Sequence, residues 1–457
     1  MFVIVLVLAG LTQSGKDLKF DLHRHFTYSF VFGSLLYISS VFLLTITDQT
    51  TRLVAYSVSY FVRAVLLHVA ISNLSKKIFA NIKEDIWNVE KESFSQNQLL
   101  VVTDHSFNLP IHFYHNRKVH KGWININPFR AAMVIGVPGS GKSESVIIPF
   151  IKQMLSNGFS MLVYDFKFPD LGKVTYYHSM MHHINGGVLK EHAFHVINLD
   201  NVELSRRCNP LHSRYIRSLG DATETSEAII SALLKTDKSS GSSQFFTQSA
   251  INFLATVIYY LARFENGKYS TLPHVIAFIS GNYESIFNTL FSNIELQTIL
   301  APFKSAFENK AFDQLEGQIG TVRINISRIA TKEAFWVFGA EDFDLKISNP
   351  PSVLVLANFP DTQSMNSAFY SAVLMRVVRL INTKNNYPSA LVIDETPTLF
   401  LHKIENLIAT ARSNRVAVML GLQEIPQFYL QYGKGGLQHH IHHGHRNQWR
   451  SQEQGNP

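Results

Sequence analysis

Cysteine is almost missing from this chain of 457 residues: Cys208 is the only one. An internal disulfide and a cysteine-ligated metal cluster are therefore excluded, and a reducing compartment suits the chain. Charge is absent in one place where its absence matters. Residues 26–46 (FTYSFVFGSLLYISSVFLLTI) carry none. As a helix rising about 1.5 Å per residue, that run crosses a hydrocarbon core of about 30 Å. A second apolar run, 53–72, contains Arg63 near its middle. A charge at that depth is costly unless it faces a partner or water, so an interfacial helix is the alternative there. Residues 1–11 are apolar but short, at most a partial span. Acidic residues number 34 against 41 basic ones, a formal net charge of +7. That balance suits a nucleic-acid or anionic-membrane partner.

The basic residues orient the apolar region. Lys16, Lys19 and Arg24 lie in the loop before the first long run, and Lys76 and Lys77 follow the second. The positive-inside rule places both sides in the cytoplasm, together with everything after residue 75. The anchor is thus expected over 1–75, with spans at about 26–46 and 53–72. Residues 76–127 form a connector in which Leu99–Val102 and Ile111–Tyr114 read as short strands.

Residues 136–143 read Gly136-Val137-Pro138-Gly139-Ser140-Gly141-Lys142-Ser143, the phosphate-binding P-loop. An apolar run, Ala131–Ile135, precedes it, and apolar residues at helical spacing follow Glu144. Strand, glycine-rich turn and helix are the context the motif requires. The glycines let several N–H groups turn toward phosphate, and the helix N-terminus adds partial positive charge. Lys142 can reach the β- and γ-phosphates, and Ser143 can ligate Mg²⁺. A second buried strand, Ser160–Tyr164, ends in Asp165 and Lys167, either ligand-facing or part of a solvated loop.

Alternation is absent between 219 and about 332, where Phe246, Ala250, Phe253, Leu254, Val257 and Leu261 recur at helical spacing. An all-helical insertion over 219–335 is expected, dividing a nucleotide-binding domain into 128–218 and 336–433. Lys304, Lys310, Arg323, Arg328 and Lys332 dot it, as a solvated face or a DNA surface. After it, an apolar strand ends in Asp394 and Glu395, the Walker B pattern. Asp394 would hold Mg²⁺, and Glu395 would act as general base toward the attacking water. Val416–Leu422 ends in Gln423, whose amide can sense the γ-phosphate or orient water; an ordinary strand end is the alternative. Arg412 can reach a neighbouring subunit's nucleotide or make a surface salt bridge. Residues 434–457 form an atypical histidine-rich tail, read as lying outside the fold rather than as a metal site.

The order of apolar spans, GVPGSGKS, YDFK (164–167), NPL (209–211), helical insertion, VIDE (392–395) and ARSNR…GLQ (411–423) resembles the coupling proteins of type IV secretion, the TraG-like conjugative DNA-transfer ATPases. The resemblance implies an α/β P-loop NTPase of RecA-like fold, with a mostly parallel sheet behind transmembrane helices. It implies a homo-hexamer at the bacterial inner membrane, its ATPase domain in the cytoplasm. It further implies single-stranded DNA, a relaxase and secretion-channel subunits as partners, and ATP with Mg²⁺ as cofactors. Gly136 to Glu144, Asp165 and Lys167 would bind nucleotide; Lys142, Glu395, Arg412 and Gln423 would serve catalysis, Arg412 in trans. Two departures stand out. Phe168-Pro169 replaces the usual Gly-Glu, and the chain stops soon after Gln423, which implies a C-terminally truncated copy. A translocase of FtsK/HerA type is an alternative motor. A membrane adaptor that binds ATP without turnover is an alternative from another class.

Overall fold

The computed structural model describes residues 26–83, 95–116, 118–184, 193–234, 241–428 and Tyr432. The expected partial span 1–11, the loop 12–25 and the histidine-rich tail lie outside the described residues. The chain forms two compact units, one of residues 1–98 and 111–122, the other of 99–110 and 123–457.

In the first unit, α1 (Tyr28–Ser39) and a short helical turn (Phe42–Thr45) lead to α2 (Gln49–Lys83). Tyr28–Thr45 and Gln49–Ser75 are long and apolar enough to cross a membrane. The second helix starts ahead of the expected residue 53. Asp48 Oδ2 accepts from Thr51 N at 2.8 Å and caps the first turn. The two helices approach closely at Gly33, where a Cβ would lie 3.1 Å from Leu67 Cγ. Arg63 is only 3% exposed. Its Nη1 donates to Ser40 Oγ at 2.7 Å, and its guanidinium sits 5.0 to 5.3 Å from the ring centres of Tyr37, Tyr56 and Tyr60. The charge that interrupts the second apolar run is therefore taken up by the first span and by π-faces.

β1 (Phe107–His115) and β2 (Lys118–Ile126) pair as a two-stranded sheet. Leu99–Val102, expected as a strand, is not one: all four side chains are exposed and the backbone joins no ladder. The segment lies beside β2, but Val101 N donates to the side-chain Oδ1 of Asn125 at 3.4 Å and not to a backbone carbonyl.

The second unit is built on six parallel strands in the order β3-β8-β7-β4-β6-β5. These are β3 (Ala132–Ile135), β4 (Ser160–Asp165), β5 (Ala193–Asn198), β6 (Ser352–Ala357), β7 (Ser389–Ile393) and β8 (Val416–Leu422). Both faces of the inner strands are covered, which is why they read as continuous apolar runs. On one face lie α3 (Ile148–Ser156) and α4 (Asp170–Ile184), packing Phe150, Ile151, Met154 and Leu171 against Met161, Val163, Val355 and Val392. On the other, seven helices running from Leu219 to Phe338 pack on one another and, through the first of them, on α12 (Gln363–Ile381). The seven begin with α5 (Leu219–Leu234) and α6 (Gly241–Arg263). They share one continuous core with Leu162, Leu354, Leu391 and Leu420 of the sheet.

A third stretch, Phe245–Gly267, is also long and apolar enough to cross a membrane, but 67% of it is buried within the helical layer. Most of its apolar residues are core, packing Phe253 against Phe287 and Phe303, while Phe245, Phe246 and Phe264 are exposed. Of the scattered basic residues, Lys304 pairs with Glu308 at 3.7 Å and Arg323 lies over the Tyr283 ring at 3.8 Å. Arg376 of α12 locks the layer to the chain before it. Nε, Nη1 and Nη2 donate to Pro210 O (3.2 Å), Tyr215 O (3.0 Å) and Thr225 Oγ1 (2.9 Å).

Candidate nucleotide-binding site

The P-loop follows β3, whose end is tied to the end of β8 by Gly136 N donating to Leu422 O at 3.1 Å. Gly139 and Gly141 both take φ +79, which side-chain-bearing residues rarely adopt. Val137, Pro138, Gly139 and Ser140 are exposed, so the loop offers its backbone outward. The next turn, from Ser143, leads into α3. Glu144 is exposed in that first turn.

Lys142 and Ser143 face the end of β7. Lys142 Nζ donates to Asp394 O at 3.2 Å and lies 3.5 Å from Glu395 Oε2. Ser143 Oγ donates to Asp394 Oδ1 at 3.4 Å. Gln423, just past β8, donates from Nε2 to Glu395 Oε2 at 2.9 Å. Glu395 is 4% exposed, and its Oε1 is buried without a partner. Burial holds the Asp394 carboxyl above its ordinary range, against the opposing pull of Lys142. Thus Lys142, Ser143, Asp394, Glu395 and Gln423, spread over some 280 residues of sequence, meet at the carboxyl ends of β3, β7 and β8.

Asp165 ends β4, beside β7 in the sheet. Its Oδ2 accepts from Gly172 N at 2.8 Å, in the first turn of α4. Burial pushes this carboxyl from the ordinary 3.8 up to about 7. The folded state therefore holds a proton that the unfolded chain has released between those values. Stability falls as pH rises through that window and levels off above about 7. In protein free of metal and nucleotide, Asp165→Asn should raise stability at pH 8 by about 1–4 kcal/mol and change little at pH 4. Denaturant melts at the two pH values measure it; an equal effect at both would sink the assignment. Lys167 is exposed past the strand, close enough for its charge to act on Asp394.

Arg412 is not brought to this cluster. It sits exposed in the last turn of α13 (Ile404–Asn414), ahead of the start of β8 at Val416. β8 runs parallel to β3, with Ile135 opposite Leu422. The P-loop is at the far end of that strand, about 20 Å away along it.

Several residues that hold the site went unnoticed in the sequence. Gly421 is required by a close approach, because a Cβ there would collide with the Asp394 carbonyl. Thr398 Oγ1 donates to Glu395 O at 2.6 Å and meets Tyr164 OH at 3.1 Å, fixing the turn after the acids. That turn continues to Lys403, whose Nζ reaches Glu224 Oε1 of α5 at 2.7 Å. Thr398 lies three residues past Glu395, the spacing of a hydroxyl that caps a turn, and that was the available signal.

The donors suit ATP and Mg²⁺. Among the described residues no group of three or more His, Cys, Asp or Glu side chains is placed to hold a metal. Mg²⁺ does not need one, since it uses one or two carboxylates with waters and phosphate oxygens. Ser143 and Asp394, already in contact, supply hard oxygen donors beside the loop.

A family model described as type IV secretory system conjugative DNA transfer matches residues 82–449. No curated protein matches the sequence. Among solved structures, the chain is similar to the plasmid coupling protein TrwB in complex with the ATP analogue ADPNP. The identity is 16%, the TM-score 0.52, and the match covers 68% of each chain. TrwB in complex with ADP and Mg²⁺ matches at 15% identity and TM-score 0.52, over 68% of this chain and 67% of that one. At such identities the likeness is one of fold, a P-loop NTPase sheet with its helices. The family match spans most of the sequence, and the chain belongs to the type IV secretory system family of conjugative DNA-transfer coupling proteins.

Proposed function

We propose that this protein is a membrane-anchored ATPase that brings a relaxase–DNA complex to a type IV secretion channel and drives single-stranded DNA through it. The observation that carries the ATPase part is the contact of Lys142 and Gln423 with one carboxylate, Glu395, beside a Ser143–Asp394 pair. In this reading the N–H groups of Gly136–Ser143 and the Lys142 ammonium hold the nucleotide's phosphates. Glu144, Asp165 and Lys167 border that nucleotide. Ser143 and Asp394 hold Mg²⁺, which neutralises charge on the phosphates. Glu395 takes the proton of the attacking water, and Gln423 fixes the carboxylate for that task. Arg412 serves the nucleotide of a neighbouring subunit, which calls for a closed ring, here a homo-hexamer. The helical hairpin of Tyr28–Ser75 anchors the ring in the bacterial inner membrane as a multi-pass segment, with the nucleotide domain in the cytoplasm.

The test is ATP turnover by the detergent-solubilised full chain, with and without single-stranded DNA. Turnover is expected to rise several-fold with DNA. ATP binding without turnover in either condition would replace the motor by an adaptor that docks substrates.

A further inference from the structure

Two carboxylates at the site, Glu395 and Asp165, each have a buried oxygen without a hydrogen-bond partner among the described residues, and the hydrolysis proposed above employs only that of Glu395. The register Tyr164 opposite Ile393 puts Asp165 directly beside Asp394. Both point to the α3–α4 face, since Val163 and Val392, two residues earlier, belong to the core on that face. Side chains in register on neighbouring strands stand about 5 Å apart. Ser143, which bonds Asp394, lies just ahead of α3 on that same face. Asp165 is fully buried, and its Oδ2 is used by Gly172 N. Its Oδ1 is buried with no partner.

Such an arrangement is unfavourable in protein alone. A buried acceptor without a donor costs free energy, and two adjacent carboxyl groups disfavour each other's charge. Lys142 and Lys167 offset part of the charge on the Asp394 side, but the Lys142 ammonium donates to the Asp394 carbonyl and lies by Glu395, not by Asp165 Oδ1. A hydrated dication beside Asp394 relieves both defects, supplying positive charge and water donors to the free oxygen.

We propose that Asp165 is a positioning residue for the Mg²⁺ that accompanies the nucleotide, acting through the ion's water shell while Ser143 and Asp394 hold the ion directly. The inference rests on the nucleotide-binding reading given above. It assigns Asp165 a second duty besides capping α4. Residues that act on a metal through its ligands typically change its affinity 10- to 100-fold when altered.

The experiment is the affinity of the full-length protein for a fluorescent ADP, titrated with Mg²⁺ after treatment with EDTA. Asp165→Asn keeps an acceptor for Gly172 N and removes the charge. Read against its own affinity without Mg²⁺, its Mg²⁺ midpoint should rise roughly 10- to 100-fold over that of the unaltered protein. Asp165→Ala, which loses the cap as well, should show the same raised midpoint. An unchanged midpoint in Asp165→Asn, with only Asp165→Ala affected, would mean that the cap is the whole role. If Asp165→Asn does not fold, Asp165→Ser carries the same comparison. Unaltered protein that binds no ADP at any Mg²⁺ concentration would overturn the nucleotide reading itself, which separates the two failures.

Discussion

Glu395→Gln will bind ATP as the unaltered protein does and hydrolyse it about 10²- to 10⁴-fold more slowly, the usual worth of a positioned general base. Glutamine has the same shape and still offers an oxygen to Gln423 Nε2, now 2.9 Å from Glu395 Oε2. What it loses is basicity at Oε1, a buried atom without a hydrogen-bond partner among the described residues. Lys142→Ala should fail one step earlier. The ammonium next to Asp394 O and Glu395 Oε2 is also the only side-chain cation of the P-loop. Without it the buried Glu395 and the half-buried Asp394 face the incoming phosphates with their nearest cation gone, and binding itself should be lost. Equilibrium binding of a fluorescent nucleotide separates the two variants, and single-turnover hydrolysis measures the first. Turnover at the original rate in Glu395→Gln would remove Glu395 from the role of base.

Arg412→Ala will lower turnover by roughly 10³-fold, the scale of a trans-acting arginine, while leaving nucleotide affinity nearly intact. The reasoning is topological. Arg412 precedes β8, and the P-loop lies beyond the other end of that strand's partner, β3. No side chain spans a sheet lengthwise, so an effect of Arg412 on hydrolysis must act on another copy. Mixing decides it. Arg412→Ala subunits contribute intact Lys142 and Glu395; Glu395→Gln subunits contribute intact Arg412. Activity should reappear in mixtures of the two inactive proteins. If every ratio stays inactive, Arg412 does not work across subunits.

Much of this site is legible in the sequence. The P-loop and the Asp394–Glu395 pair each carry their own local context, and inner parallel strands announce themselves as unbroken apolar runs. What escaped depends on non-local geometry. Arg376 reads as the polar side of an amphipathic helix, yet it is buried and bonded to three separate segments. Leu99–Val102 has the composition of a strand, yet Val101 N bonds the side chain of Asn125 and no ladder forms. Gly421 reads as an ordinary strand residue until the Asp394 carbonyl is placed against it. Arg412, by contrast, precedes Val416–Leu422 in the sequence, so its place at the end of β8 away from the P-loop is legible.

The strand order bears on how the protein is made. The first three strands of the large sheet to leave the ribosome are β3, β4 and β5, and no two of them are neighbours. β3 pairs with β8 alone, β4 lies between β7 and β6, and β5 pairs with β6. From Ala132 to Ser352, a length of about 220 residues, the nascent polypeptide carries apolar strands with nothing to pair them. At 5–20 residues per second that interval lasts roughly 10–45 s. The seven helices that emerge meanwhile can pack on one another, but α12, against which the first of them packs, follows β6. Completion of the sheet is therefore late, and a chaperone that shields unpaired strands should raise the yield more than one that speeds helix formation.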